Sequence, residues 1–349
     1  MKKILFFAAF LLAGHALFSQ VQSYYNDVDL TKTGMDLKDE LSLKISSTHT
    51  VFVTYSQLWD VLRQTDEVTT DTSKVYLMYG WENGTDGDCH NDIMRNKYDN
   101  GGTAANCEWN REHVYPKSLG TPAFTNNDTV GADPHHIRPS DVSMNGSRGN
   151  KKFADATGNA GTVNANFWYP GDEWKGDVAR IIMYLYLRYG DRCQPVNVGT
   201  GPAVSTDPGM LQLFLEWNAQ DPPSPVEDRR NNVLETLQGN RNPFIDNPYL
   251  ATIIWGGPPA TDRWNMSVAG ERLARKVKVY PNPARDEVFI ILKDEQADFR
   301  LVSADGKVLF EETFSNSVSW KLNRLPGHIY FIHIRTRDGV LTVKKLIKQ

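Results

Sequence analysis

The run Asn110-Arg111-Glu112-His113-Val114-Tyr115-Pro116 is followed by Asp133-Pro134-His135-His136-Ile137-Arg138-Pro139-Ser140-Asp141, then by Asn145 and Asn150. These stretches concentrate groups that can take a proton, hold a hard cation and grip an anion. Hydrolysing a phosphodiester needs an activated water, neutralised phosphoryl oxygens and a stabilised leaving alkoxide, and a divalent cation meets the last two needs. Magnesium takes oxygen ligands and keeps several waters, so one carboxylate and one amide oxygen suffice, as Glu112 and Asn145 would supply. Calcium or manganese could take the same place. A neutral imidazole at His113 can accept the proton from water, because histidine titrates near working pH. Arg138, Arg148, Lys151 and Lys152 give a local basic patch, although a solvated charged face is the ordinary reading of any one of them. A formal net charge of -4 excludes a globally basic nucleic-acid binder, so a polyanion would have to be met by that patch.

Neighbouring side chains on a strand point to opposite faces, so Glu112 and His113 can serve one phosphate only from a bend or a strand end. Pro116, just behind them, makes a disrupted strand plausible. Asp133, His135 and His136 read as groups shaping the site, with zinc ligation as the alternative. Asp86, Asp88 and Asp92 read as a solvated acidic turn and lack the full spacing of a known calcium loop.

The elements that must hold these residues are partly visible. Leu58, Trp59 and Leu62 predict an amphipathic helix from Tyr55 to Glu67, with Ser56 as its cap, and Val75 to Tyr79 reads as a strand. Asp177 to Tyr189 repeats Val178, Ile181, Ile182, Leu185 and Tyr186 on one helical face and ends at Gly190. Further helices are expected over Met210 to Ala219 and Val226 to Gln238, with prolines breaking the chain between them. Beyond a linker at 257–275, short alternating strands separated by Asn-Pro, Asp-Gly and Pro-Gly turns predict a small all-β sandwich over 276–349. Its strands are expected at 278–280, 287–292, 299–302, 307–310, 317–322, 328–335 and 341–348.

Lys2 and Lys3 precede an apolar stretch from Ile4 to about Leu17, which predicts a secretory signal peptide over residues 1–19. No later segment approaches the roughly 18 continuous apolar residues of a membrane span. Export permits disulfides, and Cys89 and Cys107 flank a polar loop that a bridge would clamp, leaving Cys193 as a buried thiol. At this loop length the bridge is worth roughly 3 kcal/mol.

The run from Arg111 to Pro116 resembles the Arg-Glu-His-Val-Trp-Pro signature of the bacterial endonuclease I family, secreted or periplasmic nucleases with a ββα-metal (His-Me finger) site. Tyr115 stands where tryptophan is common. Asp133 to Asp141 with Asn145, Arg148, Gly149 and Asn150 is also family-like, as are Lys175 to Arg180 and Gln238 to Asp246. The resemblance covers roughly residues 40 to 255, within a nuclease domain placed at 24–256. It implies an α+β fold, a mainly helical nuclease domain around a ββα-metal motif. It implies His113 as general base, Glu112 as one magnesium ligand, and an asparagine on the motif's helix as the other. Asn145, six positions after Pro139, is preferred to Asn150. Arg138 and, less directly, Arg148 would bind the scissile phosphate, with Arg111, Asn150 and Lys151 on the nucleic acid, and Arg241, Asn242 and Asp246 would brace a helix or line the cleft. The family members considered carry more cysteines than the three here. The closing segments Val279 to Ala284, Leu325 to Tyr330 and Val343 to Lys348 resemble the sorting domain of the Bacteroidetes type IX secretion system.

The expectation is therefore a monomeric enzyme, secreted or at the cell surface, that engages the secretion machinery through its C-terminal domain. It would be a magnesium-dependent, sequence-nonspecific endonuclease on DNA and possibly RNA, leaving 5′-phosphate ends. The rivals are a more selective ribonuclease or other phosphodiesterase on the same residues, and a noncatalytic surface-binding protein.

Overall fold

Helix α4, Lys175–Tyr189, is buried from Gly176 through Leu187, on all sides rather than along one face. It is therefore the axis of a core, with more of its circumference covered than the single apolar face of its pattern predicts. Gly190, at φ 55°, ends it as expected. The computed structural model describes residues 21–349 apart from 102, 104, 105, 267–269, 271, 272, 275, 338 and 339. The expected signal peptide, and part of the expected linker, lie outside the described residues.

Around α4 pack α1 (Gly34–Thr48), α5 (Gln212–Gln220), α7 (Pro243–Asp246) and, against α1 and α5, α8 (Tyr249–Trp255). Helix α1 contributes Leu37, Leu41 and Ile45, spaced by four, from an otherwise polar segment. Helix α6, Pro225–Gln238, begins with a capping box between Ser224 and Glu227, and Pro225 is its first residue rather than a breaker before it. Helix α2 is shorter than expected, Leu58–Thr65. Ser56 does not cap it; its hydroxyl shares a hydrogen bond with Thr54, within a preceding turn.

The strands of this first unit are short. β1 (Lys74–Tyr76) pairs with β2 (Met94–Asn96), and β3 (Trp109–His113) pairs antiparallel with β4 (Ile137–Asp141), which runs directly into α3 (Val142–Arg148). β5 (Lys152–Phe153), β6 (Gly161–Val163) and β7 (Phe167–Tyr169) form a small sheet, and β8 (Ala203–Val204) pairs with β9 (Asp207–Leu211). Beneath β3 and β4 lies a separate apolar cluster of Leu58, Leu62, Val75, Leu77, Trp109, Ala132 and Ile137. It anchors the hairpin from one side.

The C-terminal unit has its own core, including Val288, Ile290, Phe299, Leu301, Ile332, Ile334 and Leu346. Its strands are β10 (Lys278–Tyr280), β11 (Glu287–Ser303), β12 (Val308–Lys321), β13 (Ile329–Thr336) and β14 (Leu341–Ile347). They form one five-stranded antiparallel sheet curled into a near-barrel, not the two stacked sheets of a sandwich. The reason lies in β11, which spans both segments expected as separate strands and shifts register between Leu292 and Gln296. Its first half pairs with β10 and its second with β13, so one bent strand serves both walls. Hydrogen bonds of Ala284 with Ile347 and Gln349 draw the far edges together.

Candidate active site

Two antiparallel strands and a helix bring the central residues together. In β3, Asn110 and Glu112 point to one side and Arg111 and His113 to the other. Asn110 lies opposite Ser140 and Glu112 opposite Arg138. Asp141 joins β4 to α3 by accepting hydrogen bonds from the backbone of Ser143 and Met144, and so fixes where the helix starts. The arrangement places Asn145 over the Asn110 side, where its Nδ2 donates to Asn110 Oδ1 at 2.6 Å.

His113 is the last residue of β3, and the next amide, Val114 N, donates to His136 O at 3.2 Å. The strand end that the Glu112-His113 pair requires is thus present. The His113 ring is 9% exposed, and its Nε2 lies 3.0 Å from Gly131 O. With Nε2 donating to that carbonyl, Nδ1 is the basic nitrogen. Burial first, then the neighbouring His136, holds the imidazole well below the usual histidine range and therefore neutral. Tyr55 stacks on it, with centroids 5.6 Å apart and planes 19° from parallel. A Cβ at Gly131 would come within 1.8 Å of Thr125 O, so the orienting carbonyl depends on glycine there.

Glu112 is 2% exposed and both of its hydrogen bonds fall on Oε1, from Tyr79 Oη at 2.9 Å and Arg148 Nη1 at 2.9 Å. Burial raises its pKa against the lowering effect of Arg148. Tyr79 reaches it from a left-handed backbone, φ 76°, which a residue with a Cβ adopts only when its surroundings hold it there.

The basic residues are distributed differently from the sequence expectation. Arg138 is 1% exposed and ion-paired with Asp66 at 2.8 Å and Asp177 at 2.9 Å, so its guanidinium braces the core instead of facing a phosphate. Arg148 is fully buried, and besides Glu112 it donates to His113 O at 2.9 Å and Val114 O at 2.7 Å. It is a brace for the strand end and does not face a phosphate. Lys151 bonds the carbonyl of Ser147 on α3, while the exposed Asn150 sits past the helix, 3.4 Å from Ser118 Oγ. Arg111 remains at the surface of the site, with its guanidinium 3.7 Å from the Tyr55 ring centroid. Lys117, which the sequence reading passed over, joins it: burial and then the Arg111 charge lower its pKa, and its Nζ lies 6.0 Å from the same ring. Tyr55, Tyr79 and Gly131 were also missed. No motif spacing ties them to Glu112 and His113, and only the fold does.

Asp133, His135 and His136 are all buried and individually engaged. Asp133 accepts from Tyr184, Tyr189, Gln238 and the His135 backbone; His135 Nε2 faces Asn240 O at 3.3 Å, and His136 Nε2 faces Val130 O at 2.6 Å. This is a scaffold behind His113 rather than a zinc centre, and among the described residues no group of three or more His, Cys, Asp and Glu is arranged to hold a metal. Arg241 and Asp246 pair with each other, bracing the end of α6. In the acidic turn, Asp86 and Asp88 accept from backbone amides of Asp88 and His90. Cys89 and Cys107 form a disulfide and Cys193 is free and buried.

Residues 33–249 match the Endonuclease I family model, and residues 278–349 match the Secretion system C-terminal sorting domain. The chain is 39% identical over 257 residues to an "Extracellular ribonuclease" of Bacillus subtilis (strain 168), covering 70% of this chain and 82% of that one. A second "Extracellular ribonuclease", of Bacillus amyloliquefaciens, is 38% identical over 68% of this chain and 79% of its own. A "Periplasmic deoxyribonuclease" of Aeromonas hydrophila is 27% identical over 41% and 64% respectively. The sorting domain and the extracellular relatives mark a protein that is secreted or held at the cell surface, and no helix among the described residues is long and apolar enough to cross a membrane. The chain belongs to the Endonuclease I family and is a nuclease.

Proposed function

We propose that the protein is a magnesium-dependent, sequence-nonspecific endonuclease that cuts DNA and RNA to 5′-phosphate ends, with Glu112 and Asn145 holding the cation and His113 as general base. The observation that carries this reading is the His113 ring, oriented through Nε2 by Gly131 O with Nδ1 left as the proton acceptor, at the end of the strand that carries Glu112. The donor set suits a hard cation: Oε2 of Glu112 and the amide oxygen of Asn145 are the atoms left over by the hydrogen bonds on Oε1 and Nδ2. A bound divalent cation would neutralise the phosphoryl oxygens and the departing alkoxide. His113 would take the proton from the attacking water through Nδ1, and the Gly131 carbonyl would stabilise the imidazolium so formed. Arg111 and Lys117 are the cations best placed to meet the phosphate, in place of Arg138 and Arg148. A pair of phosphate-directed cations, with no base-reading array among the described residues, supports indifference to sequence. The relatives named as ribonucleases and deoxyribonuclease support activity on both nucleic acids.

The test is cleavage of plasmid DNA, single-stranded DNA and RNA by the wild type and by His113→Ala, Glu112→Ala and Asn145→Ala, with magnesium and with chelator. Loss of activity in all three variants and in chelator is expected, with Asn150→Ala retaining it. Full activity of His113→Ala would overturn the mechanism.

A further inference from the structure

From His113 the surface continues as an alternation of rings and cations. Tyr55 stacks on the His113 ring, and the Arg111 guanidinium lies 3.7 Å from the Tyr55 centroid and 4.0 Å from that of Trp59. Arg63 follows Trp59 by four residues on α2 and so lies one turn further along the same side. Its guanidinium is 4.9 Å from the Tyr98 ring. Tyr98 is 66% exposed, and Tyr55, Trp59, Arg63 and Arg111 are all partly exposed.

We propose that this track binds unpaired bases of a single-stranded nucleic acid, by stacking on the rings while the arginines meet its phosphates, and so feeds the strand toward His113. The direction of feeding rests on the nuclease reading above. Proteins that hold single strands without regard to sequence combine such aromatic platforms with cations, because every base has a face to stack and every nucleotide a charge. The alternative, that the rings only pack the fold, does not account for Tyr98: α2 is anchored to the core by Leu58, Val61 and Leu62, and a ring that is two-thirds exposed adds little to it. The cations are also held in place ahead of any ligand. Arg63 donates to Asp60, Asn100 and the Lys97 carbonyl, and Arg111 to the Tyr55 carbonyl. Preorganised side chains of this kind lose little freedom on binding. A duplex keeps its base faces in its own stack, so it would meet only the charges of this track.

The experiment measures binding of a fluorescent oligothymidine and of an abasic strand of equal length to the full chain without divalent cation, alongside cleavage of duplex plasmid with magnesium. The variants are Tyr98→Ala, Tyr98→Leu and Tyr98→Phe. Tyr98→Ala and Tyr98→Leu are expected to bind oligothymidine about fivefold or more weakly, with binding of the abasic strand unchanged and Tyr98→Phe close to wild type. Plasmid cleavage should stay at the wild-type rate in all three. KM for single strands should rise in Tyr98→Ala and Tyr98→Leu with kcat unchanged, and Tyr98→Phe should keep both. Equal affinity of wild type and Tyr98→Ala for oligothymidine, or equal affinity of the wild type for the two strands, would overturn the track while plasmid cleavage still upholds the nuclease reading. Base-dependent binding by a wild type that cuts nothing would uphold the track and overturn that reading.

Discussion

Replacing Arg148 by methionine separates the two roles an arginine beside Glu112 could have. In the structure the substitution removes a fully buried guanidinium from Glu112 Oε1, His113 O and Val114 O, and leaves a buried carboxylate without its cation. Removing one member of a buried ion pair costs about 3–5 kcal/mol, which for a domain of this size lowers the melting temperature by roughly 6–20 °C. Tryptophan fluorescence reports the relevant unit, because Trp320 alone among the nine tryptophans lies in the C-terminal sheet. Part of the loss should return in Arg148→Met/Glu112→Gln, where no lone charge is buried, with a coupling of about 1 kcal/mol or more in the double-mutant cycle. A phosphate-binding arginine behaves otherwise: its loss leaves the fold intact and lowers the slope of log affinity against log salt by about one. A variant melting within about 2 °C of the wild type, with a reduced salt slope for an oligonucleotide, would refute the assignment of Arg148 as a brace.

Gly131→Ala should displace the carbonyl that orients His113, since its Cβ meets Thr125 O, and a shift of about 1 Å in such a group can cost on the order of 100-fold in kcat; an unchanged kcat in steady-state cleavage would remove that carbonyl from the mechanism. His135 and His136, buried and held to about 4, stay neutral in the fold while the unfolded chain protonates from about 6.5, so stability is full above that pH and falls as the pH drops toward 4. The loss is on the order of 3 kcal/mol per histidine at most, and a urea midpoint that does not move between pH 7 and pH 4.5 would contradict it. Cys89→Ser opens a loop spanning 18 residues and should lower stability by roughly 3 kcal/mol, with reductant lowering the melting temperature of the wild type but not of the variant.

The elements legible in the sequence are those whose signals are local. The end of α4 is legible at Gly190 and the start of α6 to within a residue at Pro225, because caps and prolines act within a turn. Helix α1 leaves little trace in the sequence, because its three buried residues lie four apart in a polar segment and make a narrow stripe. β10, β13 and β14 lie where the alternation predicts them, whereas β11 and β12 each join two expected strands, because Lys293 to Glu295 and the residues around Asn316, at φ 70°, look like turns in sequence and are a bulge and a bend within continuous strands.

At the candidate site the structure departs from the sequence expectation in the exposure of the arginines. Glu112 and Arg138 face one another across β3 and β4, yet each is paired elsewhere, Glu112 with Arg148 and Arg138 with Asp66 and Asp177. Asp66 also binds Arg230 of α6, and α4 adds Arg180 on Glu227, so three arginines and three carboxylates from four elements meet in one buried network. The β3–β4 pairing places Arg138 beside Glu112, but its charge is used to lock β4 against α4 and the end of α2. Such a network gains little stability over an apolar packing of equal volume, since the desolvation of six charges offsets most of their attraction. What it does is penalise any shift of β4, because a displaced strand would leave a buried charge alone. His113 ends the partner strand and its ring faces a carbonyl in the loop between the two strands, so a fixed β4 is a condition for a fixed His113 ring. Arg138 and Arg148 therefore serve the site through the scaffold, while Arg111 and Lys117 hold the partly exposed positions around the Tyr55 ring.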